Sequence, residues 1–373
     1  MQQHEVRALL AGLREGLARG EGLALATIVG VVGSAYRREG TKMLIRSDGS
    51  YTCMLSGGCL EPEIVEAAQG VVAAGAPLLT RYNLDEEAMW GLGIGCGGAV
   101  EIYIEKVQPD AVMDCWWEVL ERGGLALLVT PLEPGLGRWM ISPEGRVGGL
   151  EDASLEAQVQ QKATELLEQL QPQPLTHTFR RSDGRSIRVF IDVSLPPAEL
   201  VIFGAGHDAI PLSQMAVNLG FRVRVVDMRH QFALPSRFPG ALVDLLRPEQ
   251  FAAQLRLDER SLVVVMNHNL LVDQSTLEFV LQTPAAYIGL LGPRSRFEKI
   301  LKSLAKEGRP LSEEQIRRVR SPVGLAIGAE SPEEVALAIV AEILAVRRGF
   351  AGGFLSGHEG RIHAPEPAQM AGG

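Results

Sequence analysis

The stretch LVIFGAGHDAI (200–210) decides how this chain is read. Four apolar residues form a buried strand, Gly204 and Gly206 form a turn, and the apolar spacing from 210 to 219 forms a helix. In a dinucleotide fingerprint the first glycine supplies a tight turn and the second lets backbone approach a pyrophosphate. The third position needs only a small residue, and Ala209 is one. Phosphates would then lie at the helix N-terminus, where free N–H groups and the dipole favour negative charge. Asp227 closes the next strand, VRVVD (223–227), about twenty residues on, where it would accept a bond from a ribose 2′-hydroxyl. Its neighbour Arg229 keeps a 2′-phosphate open. Two residues depart from the pattern. Asp208 places a carboxylate in the first helical turn, where it caps the helix or repels a phosphate, and His207 is bulky beside the glycines. The same pattern also fits a Rossmann domain that keeps its fold without a nucleotide.

Outward from this turn, short apolar runs alternate with helical segments: ALVDL (241–245), SLVVVM (261–266), AYIGLL (286–291) and GLAIG (324–328). Strands apolar throughout are buried on both faces, as a parallel sheet with helical crossovers requires. Asn267, His268 and Asn269 follow one strand at its C-terminal end, the edge where ligands bind in open α/β sheets. His268 is there either a proton donor or a histidine satisfied by its own loop. Arg294 and Arg296 follow AYIGLL at the same edge, either to reach an anion or to begin a solvated helix. Ser331 and Pro332 open a last helix as N-cap and first residue.

Pro196-Pro197 stops regular structure and divides the chain. The expected organisation is an N-terminal mixed α+β domain (1–196), a C-terminal Rossmann-like parallel sheet with helices on both faces (197–349), and a loosely ordered Gly/Pro/Ala-rich tail (350–373). With 373 residues, two domains are the natural division, and 46% hydrophobic residues can build a core in each. A net charge of −9 argues against nucleic acid or an anionic membrane as partner. The N-terminus lacks the apolar core of a signal peptide and reads as an amphipathic helix. A soluble, reduced, cytoplasmic protein is expected.

The first half reads as an opening helix, strands at 23–32 and 42–46, an Asp-Gly hairpin turn (47–50), a helix at 62–74 and an antiparallel, half-exposed strand at 99–105. A further hairpin (124–132 with 137–142), a helix at 155–170 and a strand at 186–195 follow. Two glycine-cysteine loops stand out: Ser56-Gly57-Gly58-Cys59-Leu60-Glu61 and Gly93-Ile94-Gly95-Cys96-Gly97-Gly98. In each, backbone N–H groups can form a concave anion site beside an unshielded thiol. Cys59 also sits at a helix N-terminus, which favours a thiolate. Arg37, Arg38 and Lys42 precede the first loop, so together these residues outline a pocket for an anionic ligand. The alternative is that the glycines only form tight turns and the cysteines are small buried residues. Zinc ligation lacks the CxxC and histidine spacing, and no base pairs in sequence with either thiol for a hydrolase.

In combination these pieces resemble the xanthine dehydrogenase accessory factor family of the XdhC/CoxI type. The resembling segments are GSAYRREGTKMLI, SGGCLEPEIVEAA, GIGCGGAVEIYIE, FGAGHDA, VRVVDMR with RFP, NHNLLVD, YIGLLGPRSR and SPVGLAIGAESPEEVALAIVAEI. They cover nearly all of 33–348. The resemblance implies a two-domain maturation factor for molybdenum hydroxylases. Such a factor binds the molybdenum cofactor (molybdopterin), assists its sulfuration through a cysteine desulfurase and delivers it to the apo-enzyme. Carried onto this chain, cofactor contact falls to Ser56, Gly57, Gly58, Cys59, Glu61, Gly95, Cys96, Gly97 and Gly98, with Arg37, Arg38 and Lys42 for the pterin phosphate. Tyr36 stands where the family often has proline, and Asp208 where a small apolar residue is common. The competing readings are an NAD(P)-dependent oxidoreductase, built on the fingerprint with His268, and a non-catalytic scaffold. A homodimer is also expected.

Overall fold

The computed structural model describes residues 1, 3–33, 35–83, 98–169 and 172–357. The chain divides into two compact units, Met1–Pro196 and Pro197–Gly373.

The first unit holds two antiparallel five-stranded sheets. One contains β1 (Leu23–Val32), β2 (Lys42–Arg46), β3 (Tyr51–Thr52), β4 (Leu78–Asn83) and β5 (Ala99–Lys106), in the order β3-β2-β1-β5-β4. The other contains β6 (Ala126–Pro131), β7 (Trp139–Ser142), β8 (Gly145–Gly148), β9 (Leu175–Arg180) and β10 (Ser186–Ser194), in the order β8-β7-β6-β10-β9. Helices α1 (Gln3–Ala18) and α2 (Glu61–Ala74) pack on opposite faces of the first sheet. Side chains alternate along a strand, so Leu23 and Leu25 meet Leu9, Leu10 and Leu13 of α1. Ala24, Ala26 and Ile28 meet Ile64, Ala68 and Val71 of α2. Helix α3 (Ala111–Arg122), capped by Asp110, packs Val112, Trp116 and Val119 on Ala126 and Leu128. Helix α4 (Ala153–Leu167) covers the opposite face through Leu155, Val159 and Ala163.

β5 differs from its reading as half-exposed. Val100, Ile102 and Ile104 face α2, but Tyr103 on the other face is buried with Val29, Leu132 and Phe190. On that face Glu101 pairs with Arg188 and Glu105 with Arg138, tying the two sheets together. The alternating acids that read as solvent-facing are partners for arginines of the second sheet.

The second unit is a six-stranded parallel sheet of β11 (Glu199–Phe203), β12 (Arg222–Asp227), β13 (Leu242–Leu245), β14 (Leu262–Val265), β15 (Tyr287–Leu290) and β16 (Val319–Arg320). The strand order β13-β12-β11-β14-β15-β16 is the doubly wound one. Helices α5 (Ala209–Asn218) and α10 (Pro332–Arg348) cover the face carrying Leu200 and Ile202. Helices α7 (Leu270–Leu281) and α8 (Arg294–Lys306) cover the face carrying Val201 and Phe203. Short helices α6 (Phe251–Gln254) and α9 (Glu313–Arg317) complete the unit. Ser331 caps α10 in a reciprocal box with Glu334. GLAIG, expected as a strand, is not one. Gly324 N–H donates to the Glu342 carboxylate and Leu325 N–H to Ala338 O, fastening the segment to α10, and the last strand is the two-residue β16. β13 is an edge strand with Leu242 and Leu245 about half exposed, unlike the fully buried strand its composition implied.

Candidate functional site

The loop between β3 and α2 is held by its own side chains. Glu61, 1% exposed, accepts the N–H groups of Leu55 (3.0 Å) and Ser56 (2.7 Å) and the Ser56 hydroxyl proton. The Ser56 hydroxyl oxygen in turn accepts from the N–H groups of Gly58, Cys59 and Leu60 at 3.3, 3.1 and 3.0 Å. Burial by itself would push the Glu61 carboxyl up, but the bonds from Ser56 and from backbone N–H groups outweigh it and hold the value below 4.5. Glu61 is therefore an ionised strut inside the loop, not a surface contact. Three N–H groups expected to form an anion cradle are already directed at the Ser56 oxygen. Gly57 and Gly58 remain exposed, and a Cβ added at either meets nothing within 4 Å. Cys59 is half-buried beside that open space, with a free thiol.

Strand direction places this loop. β1 runs toward Val32, and β5 begins beside it with Ala99 opposite Val32. β3 runs the same way as β1, because both are antiparallel to β2. β3 ends with Thr52 level with Leu44 and Leu25, so the segment 53–60 leaves it heading toward the end of the first sheet where Gly98 lies. Gly95, Cys96 and Gly97 lie outside the described residues.

The basic residues are not equivalent. Lys42 is 4% exposed and ion-paired with Asp192, itself 4% exposed, on β10 of the second sheet. It is a buried strut, which corrects its reading as a phosphate ligand. Arg37 pairs with Glu5 of α1, and its Nε–H reaches Met54 O at 3.4 Å, so it braces the loop from the side. Arg38 is half-buried and has no ion pair among the described residues.

At the Rossmann turn the space above the glycines is filled. A Cβ on Gly204 would meet Met266 O at 2.4 Å. One on Gly206 would meet Asp208 Oδ1 at 2.7 Å and the His268 ring at 3.3 Å. Asp208 caps nothing with its side chain. Its Oδ2 lies 2.8 Å from His268 Nε2, and its Oδ1 is buried without a partner. His268 holds the left-handed backbone conformation, φ 58°, that puts its ring over the turn. Asp227 is 3% exposed, and both its oxygens are engaged: Oδ2 by Ala205 N–H and Arg229, Oδ1 by Arg229 N–H and Nε. Burial would raise its pKa, and the Arg229 guanidinium and backbone donors hold it down instead. A ribose hydroxyl finds four lone-pair positions already occupied. Arg296 clamps the buried Asp273 through Nε and Nη2, and Arg294 points to solvent beside Glu298, so neither reaches the turn as an anion ligand. His207, exposed, stacks edge-on to Phe232.

Sequence reading missed Arg237, whose Nη1 donates to Ala205 O (2.7 Å) and Phe232 O (2.8 Å) and locks the 228–237 loop onto the turn. It also missed Cys53, held at φ 66° with its thiol on Glu5 O and its pKa raised by burial. RFP was visible as a motif, but nothing local signalled Cys53.

The family model described as the XdhC Rossmann domain matches residues 200–343, and that of the XdhC and CoxI family matches 16–83, which includes the Cys59 loop. A Bacillus subtilis protein described as a probable subunit of xanthine dehydrogenase is 32% identical, over 88% of this chain and 94% of its own length. The molybdenum cofactor insertion chaperone PaoD of Escherichia coli is 25% identical, over 91% of this chain and 88% of its own. A crystal structure described as a xanthine dehydrogenase from Bacillus halodurans superposes with a TM-score of 0.70 at 29% identity, covering 93% of this chain and 96% of that one. Among the described residues no helix is long and apolar enough to cross a membrane. With a relative above 30% identity matched almost end to end and a family model at each half, the chain belongs to the XdhC and CoxI family.

Proposed function

We propose that this protein is an accessory factor for a molybdenum hydroxylase that holds the molybdenum cofactor at the Cys59 loop and delivers it to the apo-enzyme. The observation that carries the reading is the open space over Gly57 and Gly58, rigidly backed by Ser56 and Glu61, with a free thiol at its edge. A thiol is a soft donor suited to a transition metal, and Arg38 is the cation left available for a phosphate. Cys96, two residues before Gly98 in the sequence, belongs to the same proposal. The cofactor would supply the metal centre, while Cys59 and Arg38 bind it and the glycines admit it closely. Sulfuration by a cysteine desulfurase partner and a homodimeric state are parts of the same reading. The Rossmann unit serves as a structural or regulatory element. An NAD(P)-dependent oxidoreductase is disfavoured because Asp208 and His268 occupy the phosphate position and Arg229 the ribose acceptor.

The test is maturation of the client hydroxylase in cells carrying Cys59→Ser and Cys96→Ser. Loss of client activity with unchanged client abundance is expected, whereas full maturation would reduce the protein to a scaffold.

A further inference from the structure

Two helices, one in each unit, carry opposite charge at matching spacing. On α8, Lys299, Lys302 and Lys306 are exposed, and they are three of the six lysines in a chain of net charge −9. Phe297, Ile300 and Leu304 of the same helix are buried, so the lysines fall within about 60° of arc on the side facing away from the core. On α3, Asp114, Glu118 and Glu121 are exposed opposite the buried Val112, Trp116 and Val119, again within about 60°. We propose that α8 of one copy packs antiparallel on α3 of a second copy, joined by Lys299–Glu121, Lys302–Glu118 and Lys306–Asp114 pairs.

The spacing selects the direction. Read up α8, the lysines are separated by three residues and then by four. Read down α3, the acids are separated by three and then by four, whereas read up the order is reversed. Only the antiparallel arrangement puts all three pairs in register, over about 10 Å at ~1.5 Å per residue. It also sets Asp114, in the first turn of α3, against Lys306, in the last turn of α8, so each charge suits the dipole of its own helix.

Neither stripe is neutralised within the chain. Lys299, Lys302, Lys306, Asp114 and Glu118 have no ion pair among the described residues, and Glu121 is engaged by Arg14. Glu298, one turn before Lys302, lies 3.5 Å from Arg294 instead. Likewise Arg122, one turn beyond Glu118, pairs with Glu144. Like charges three and four residues apart destabilise a helix, and each of these helices keeps that repulsion across both intervals. A facing helix of opposite charge at the same spacing removes it from both. Exposed ion pairs add little affinity singly, but they steer encounter and fix register. The two stripes lie in different units, so a closed dimer repeats the contact about its two-fold axis. The inference rests on the homodimeric part of the reading above and is independent of the cofactor.

The experiment is sedimentation equilibrium of the full chain at low and high salt, with Lys302→Glu, Glu118→Lys and the double variant in parallel. The unaltered chain is expected to dimerise, and added salt to weaken the dimer. Each single reversal is expected to raise the dissociation constant about tenfold, since the lost pair occurs twice in the dimer. The double variant, which restores opposite charges at the same place, is expected to return to within about threefold of the unaltered chain. Should a reversal disturb the fold, Lys302→Gln and Glu118→Gln, which only remove charge, still decide: a weaker dimer supports the pairing and an unchanged one overturns it. A chain that stays monomeric at every micromolar concentration overturns the proposal together with the homodimeric reading. A dimer that the single reversals leave unchanged, or that the double variant fails to restore, overturns the pairing and leaves the homodimeric reading standing.

Discussion

Two glycine turns, one in each unit, look alike as sequence and differ in space. Both follow a strand, precede a helix and carry the small residues that ligand-binding turns use. At Gly204-Ala205-Gly206 the space above the backbone is taken by this chain's own Asp208 and His268, with Arg237 strapped across the turn. At Ser56-Gly57-Gly58-Cys59 the side chains brace the loop from beneath, and the space above stays open. A fingerprint thus reports a backbone path, and the neighbours that fold onto it decide whether anything can bind. The more familiar pattern is the closed one here.

The largest effect that sharpens this comparison concerns the frame of the open loop. Asp192→Ala strands Lys42 as a buried unpaired charge and is expected to destabilise the first unit by about 3–5 kcal/mol, measured by denaturant unfolding. A change under ~1 kcal/mol would show that the pair contributes as little as one at the surface.

Glu61→Gln comes next. It removes the charge that Ser56 and two backbone N–H groups serve, at a cost of about 2 kcal/mol. Glu61 has a folded pKa depressed below 4.5. Its stabilisation is therefore complete above that value and is lost as pH falls through the lower folded value. The unaltered protein should lose stability across that acid window, and Glu61→Gln should lose less. Equal acid slopes in the two would remove Glu61 as the strut.

At the closed turn, Asp208→Ala deletes a buried, unpartnered oxygen, removes the carboxylate from the phosphate position and releases the His268 ring from its partner. It is expected to tighten NAD binding by about tenfold, ~1.4 kcal/mol, read by equilibrium dialysis. Tight binding by the unaltered protein that Asp208→Ala does not improve would break the contrast between the turns.

The smallest effect is on folding at the open loop. Gly57→Ala adds a methyl group to empty space and should change stability by under about 0.5 kcal/mol while lowering molybdenum cofactor retention. A variant that unfolds would show that the loop is not open.

Much of the architecture follows from local pattern. Apolar strands alternating with helices from 199 onward specify the parallel sheet, and Ser331 and Pro332 announce α10. What local pattern hides are partners far along the chain. Lys42 reads as a surface cation because Asp192 is 150 residues away. Arg296 reads as either an anion ligand or a solvated helix start because its partner Asp273 lies on another helix. GLAIG has the composition of a strand, yet its amides are claimed by α10, while β16 is too short to show any period. The Asp208–His268 pair is likewise non-local, and it reverses the meaning of the glycine motif.

The central claim is that the Cys59 loop holds the molybdenum cofactor. Its most direct test is the molybdenum content of the protein purified from cells that make the cofactor, compared with Cys59→Ser purified in parallel. The account predicts stoichiometric molybdenum with the unaltered chain and strong loss with Cys59→Ser at unchanged thermal stability. Equal molybdenum content in the two proteins would contradict it.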